Sequence, residues 1–152
     1  MLAIAYVVAQ IVGGIFGVIV ANLAFGEVLI ASSSIVRCGY RLVLSEFIVT
    51  FVLVLLVLGL LRSGRGGAAA AAVGAWVVAI VLASPSAGFA NPAVTVARGL
   101  TDTYTGIAGE SILWFVVVQL VAGVAAAGAA YLLFPIVTNH PGSSDEVLEG
   151  EQ

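Results

Sequence analysis

The sequence has no lysine and very little charge of either sign. Asp, Glu, Lys and Arg make up 9% of its 152 residues, against 62% hydrophobic. So little charge argues against a nucleic-acid-binding surface. So much apolar matter excludes a water-soluble domain, which has nowhere to hide it. The basic residues are all arginine: Arg37, Arg41, Arg62, Arg65 and Arg98. The net charge of −3 comes largely from Asp145, Glu146, Glu149 and Glu151, behind the last apolar run. A single cysteine, Cys38, excludes an internal disulfide and a cysteine-based metal cluster. The one histidine, His140, also follows the last apolar run, so no histidine site can form within the membrane. No nucleophile–base pair or metal constellation is visible, and no catalytic residue, metal or cofactor is expected. The first residues lack the basic segment of a secretory signal.

Four apolar runs remain: residues 1–25, 42–61, 68–84 and 111–134. A bilayer crossing needs about 20 apolar residues, so the chain reads as an all-α, multi-pass membrane protein. Residues 1–135 form the membrane domain, and residues 136–152 an acidic, disordered tail. Small residues recur every four positions at Ala9, Gly13 and Gly17, at Ala71 and Ala75, and at Gly123 and Ala127. Such stripes predict close helix packing in lipid. Gln10 is the one strongly polar residue in the middle of the first run; it either bonds to another helix or faces a path. Glu46, near the start of the second run, is costly in a membrane unless it is wet, paired or hydrogen-bonded. It either sits near the interface, or accepts N–H groups of a non-helical loop, or relays protons. Arg62 and Arg65 favour the cytoplasmic side, although Arg37 and Arg41 balance them in the other long loop. The Trp76 N–H needs a partner or a wet face.

The chain is organised around residues 86–99, which lie between two runs and are too short and interrupted to cross a bilayer. Asn91 caps a helix and Pro92 occupies its first position, where no intrahelical bond is lost. A short helix follows from Ala93 to Ala97. Broken backbone survives at membrane depth only where protein or a water-filled path satisfies it. The expectation is a segment that dips into the membrane and lines a path, its N-terminus positive. Arg98 follows Val94 by one turn. It either faces the mouth of that path, or pairs with Asp102, or reaches solvent.

The first and last runs match each other. Residues 6–14 align with 115–123, pairing Gln10 with Gln119 and Gly14 with Gly123. Repeats of this kind mark channels and transporters built from two halves. With Asn91-Pro92-Ala93, Glu46, Gln10 and Gln119 together, residues 1 to about 135 resemble the aquaporin (major intrinsic protein) family, from its third helix through its sixth. The resemblance implies four spanning helices and one re-entrant half-helix, part of a right-handed six-helix bundle. It implies that Asn91 donates its amide to passing water or hydroxyl groups, and that Glu46 accepts backbone bonds from the half-helix loop. It also implies a homotetramer, both chain ends in the cytoplasm, and an inner (plasma) membrane location.

The family usually has Arg directly after this motif; here Val94 stands there. Gly88 and Ala79 match two further filter positions and are small. This combination resembles a wider constriction that passes small neutral solutes: water, glycerol-like polyols, urea, or undissociated metalloid hydroxides such as arsenite. The family's first two helices and first Asn-Pro-Ala motif are not matched. A single copy is therefore expected not to enclose the family's pore. A truncated or vestigial protein, or a half-channel needing a partner chain, are the alternatives to a passive channel. An ion-coupled transporter would want an internal charged pair, and only Glu46 is available.

Overall fold

A computed structural model describes residues 2–135; the expected acidic tail lies outside them. Helix α1 spans Leu2–Phe25 and α2 spans Tyr40–Arg62. A 3₁₀ turn at Gly66–Ala68 leads into α3, Ala69–Ala83. The short α4, Pro92–Arg98, and the long α5, Gly109–Leu133, complete the described chain. Four helices are long and apolar enough to cross a membrane, α3 together with its leading turn. At 1.5 Å per residue, α1 reaches about 36 Å, enough for a hydrocarbon layer of about 30 Å.

Local chemistry sets the ends of these helices. At Gly26, φ is +74°, and the Gly26 and Glu27 N–H groups donate to Leu23 and Asn22 carbonyls. That left-handed glycine stop ends α1. The same device ends α2 at Gly64, where the Arg65 N–H donates to the Leu60 carbonyl at 2.8 Å. Helix α3 stops at Ala83, and Ser84 is extended because the Pro85 ring disfavours a helical predecessor.

The most extensive helix contact is α2 with α5. Phe115, Gln119, Ala122, Ala126 and Ala130 are all buried, at spacings of four and three, so one stripe of α5 meets α2. This is not the expected stripe: Ala127 and Tyr131 are exposed, and nothing lies within 4 Å of a Cβ placed at Gly123. The packed face is rotated by about one residue, because it is set by Phe115 and Gln119 and not by the smallest groups. Ala71 and Ala75 are likewise exposed, and α3 packs instead through Ile80 and Trp76. The Trp76 N–H donates to the Val49 carbonyl at 3.1 Å.

Helix α1 packs on α4 alone among the helices. Here again the stripe is displaced. Gly13 and Gly17 have open space, whereas a Cβ on Gly14 would sit 3.1 Å from the Ala97 Cβ and 3.5 Å from the Ala93 carbonyl oxygen. Gly14 lies midway along α1, so α4 begins level with the centre of a spanning helix.

Candidate functional site

The site grows from the loop between α3 and α4. Ala87, Gly88 and Ala90 adopt φ of 64°, 56° and 52°. Left-handed alanine costs about 1–2 kcal/mol per residue and needs a compensating partner. Glu46 supplies it. Its carboxylate is fully buried and accepts the Ala90 N–H on Oε1 and the Phe89 N–H on Oε2 at 3.4 Å. Gln119 of α5 donates to the same Oε1 at 2.8 Å. Gln119 also donates to the Thr95 hydroxyl of α4 at 2.8 Å. One carboxylate thus ties the loop, α2 and α5 together, and every contact to it is a hydrogen-bond donor. This satisfies a charge that the membrane interior would otherwise reject.

Asn91 caps α4: its Oδ1 accepts the Ala93 N–H at 2.8 Å, and its backbone is extended at φ −154°. The Thr95 hydroxyl donates to the Asn91 carbonyl at 3.0 Å. With Oδ1 committed, Nδ2 is the donor end of the Asn91 amide, and it has no partner among the described residues. Asn91 and Pro92 line a groove of about 580 Å³ with Gln10, Thr50 and Val54, and Gly123 on the far helix. The Thr50 hydroxyl is buried and has no partner among the described residues. Gln10 is exposed on this groove wall and makes no hydrogen bond among the described residues. The two glutamines paired in the sequence repeat both line this groove and differ in bonding: Gln119 is buried and locked into a network, and Gln10 is exposed with no partner among the described residues.

A second cavity of about 700 Å³ lies farther along the same two helices. Gly14 replaces Gln10 one turn on, and Val94 replaces Asn91; Arg98, Glu27, Asn22 and Thr101 are among its polar lining. Val94 is half-buried against the Phe89–Phe115 cluster. Arg98 places its guanidinium 4.4 Å from the centre of the Phe89 ring, with a buried Nη1 that has no partner among the described residues. It does not pair with Asp102. That carboxylate instead accepts the Ser34 N–H at 2.7 Å and the Ser34 hydroxyl at 2.9 Å. Ala93 is buried beneath α1. Gly88 is buried against Ile80, and a Cβ on it would lie 2.5 Å from the Ile80 Cγ1. Ala79 is exposed, so the neighbour that meets Gly88 is Ile80 and not Ala79.

Two polar anchors have no counterpart in the sequence reading. Arg37 is buried; it donates from Nε to the Gly106 carbonyl at 2.7 Å, from Nη2 to Tyr104 at 2.6 Å, and from Nη1 to Ser86 at 3.4 Å. Its guanidinium also lies 5.2 Å from the Phe89 ring centre. Asn22, buried near the end of α1, donates to the Val28 and Leu29 carbonyls and accepts the Thr101 hydroxyl. Together they bind three separate loops at one end of the bundle.

No family model matches the chain, and no solved structure matches it. The chain is similar to aquaglyceroporin AqpS of Rhizobium meliloti (strain 1021), with 38% identity over 122 residues, which is 80% of this chain and 52% of AqpS. It thus spans about half the length of that relative. Membrane-length helices around a capped half-helix, taken with this likeness, give an aquaporin-like membrane fold.

Proposed function

We propose that the chain is a passive channel subunit for water or small neutral solutes, of the size of glycerol-like polyols, urea or undissociated metalloid hydroxides. One observation carries this reading: a helix N-terminus opens beside the middle of α1, capped by an asparagine whose amide donor end has no partner among the described residues. The aligned peptide dipoles make that point positive. A hydroxyl oxygen is attracted there, while a cation meets a barrier. Val94 leaves the neighbouring turn without a fixed charge, and Arg98 contributes one a turn farther along, with Glu27 on the same cavity. Glu46 and Gln119 hold the loop in place and take no part in transfer.

Stopped-flow light scattering on proteoliposomes tests the proposal. Glycerol or water flux is expected above lipid controls. Asn91→Leu, which removes one hydrogen-bond donor, is expected to lower it about tenfold. Flux at the control level from the wild-type chain sinks the claim that this chain conducts by itself.

A second reading is favoured by the exposure of α1, where Gln10 and nearly every apolar side chain lie uncovered. In that reading the path closes only in an assembly, either a homotetramer or a complex with a further chain segment. Chemical cross-linking in native membranes, set beside the flux assay, separates the two. The location would be the plasma membrane, with Arg62 and Arg65 toward the cytoplasm, as basic loop residues favour.

A further inference from the structure

Where α2 leaves the membrane, a groove of about 590 Å³ runs along its outer side. Val52, Leu56 and Gly59 share one face at helical spacing and form its floor. The Phe134 ring forms a wall, so close that a Cβ on Gly59 would lie 3.0 Å from it. Ser63 and Arg65 close the end. The body of the groove is apolar, and its end carries a hydroxyl and a guanidinium. The two arginines at this end differ. The Arg62 Nε donates to the Phe134 carbonyl at 2.5 Å, and its guanidinium covers the Tyr131 ring at 5.3 Å. Arg65 is exposed, with no side-chain partner among the described residues. The N–H groups of Ser63, Gly64 and Arg65 already donate to Gly59, Leu61 and Leu60 carbonyls. An anion here would therefore be held by side chains.

We propose that this groove binds an anionic phospholipid, with one acyl chain along Val52 to Gly59 and the phosphate on Arg65 and Ser63. The floor runs about 10 Å along the helix axis, enough for the upper part of an acyl chain. A planar guanidinium matches a phosphate through two parallel bonds. Basic pockets beside membrane helices at the headgroup level select anionic lipids. The site stands apart from the groove at Asn91 and does not depend on the transport reading.

Native mass spectrometry of the full chain, released from detergent with added phosphatidylglycerol or phosphatidylcholine, tests it. Phosphatidylglycerol adducts are expected to exceed phosphatidylcholine adducts. Arg65→Gln should reduce the former about fivefold, the share of one basic side chain at a charged membrane surface. Arg41→Gln, at the opposite end, should leave them unchanged. Leu56→Trp, which fills the groove, should reduce adducts of both lipids. Equal retention of the two lipids by the wild type, no effect of Arg65→Gln, or an equal loss from Arg41→Gln would overturn the proposal. A photo-crosslinker at position 56 in phosphatidylglycerol vesicles gives an independent readout. Lipid adducts support the site, and a covalent dimer or a cross-link within the chain overturns it.

Discussion

Arg37 is the side chain on which the loop end of the molecule turns. It fixes the carbonyls of Ser86, Tyr104 and Gly106, which belong to two other loops. Arg37→Met leaves those acceptors without their donor, the ones on buried Ser86 and Gly106 included, and is expected to lower stability by about 3 kcal/mol, read from thermal unfolding in detergent. Lysine should rescue only part of this, since a point charge cannot reproduce the fork. Gly88→Ala should cost about 1–3 kcal/mol in the same assay, through overpacking on Ile80 at a left-handed position. Asp102 gives a pH signature. The Ser34 N–H, and then its hydroxyl, hold the Asp102 carboxyl below the ordinary carboxylate value. A carboxyl lowered by folding stabilises above its unfolded pKa, and that contribution is lost as pH falls through the lowered value. The Ser34–Asp102 clasp therefore stays closed at neutral pH and opens only in acid. Ser34→Ala, which removes the hydroxyl and keeps the N–H, should move the Asp102 titration, followed by NMR, only part of the way up toward the ordinary carboxylate range. The anchoring role of Arg37 does not announce itself in sequence. The Arg37 side-chain partners lie 49 to 69 positions away, and no local pattern reports such a distance.

Among the elements, α4 shows best what sequence can and cannot supply. Its start was legible, because an asparagine cap and a proline at the first position are local chemistry. Its neighbour was legible only in kind. Small residues on α1 foretold close packing, but the stripe drawn through Gly13 and Gly17 missed the contact, which falls on Gly14. A shift of one residue turns a helix face by about 100°, and every position in an all-apolar helix satisfies hydropathy equally well. The contact yields a sharp expectation. Gly14→Val should push α4 away from α1 and cost about 1–3 kcal/mol, while Gly13→Val, with open space around it, should change stability by less than about 0.5 kcal/mol. Unfolding curves of the two variants decide it, and equal losses would mean that the helices do not pack this way.

For the whole molecule, the four membrane-length helices follow from apolar run length alone, the strongest signal a sequence carries. What run length cannot give is depth. That comes from Gly14 beside Ala93, and from Thr95 beside Gln119 in the central part of α5, which together set α4 within the span. In sealed vesicles, a membrane-impermeant maleimide applied from the loop side should label the exposed Cys38. It should fail to label Cys38→Ser/Ala93→Cys, because Ala93 is buried beneath α1. Equal labelling at both positions would place α4 outside the bilayer.

The network at Glu46 also has a consequence in time. Its partners stand 43, 44 and 73 residues farther along the chain. A ribosome feeding this protein into a membrane delivers the carboxylate long before Gln119 has been made. A chain released with only α1 and α2 made holds the Glu46 carboxylate without these partners. The last helix is therefore the step that commits the nascent chain to its folded form.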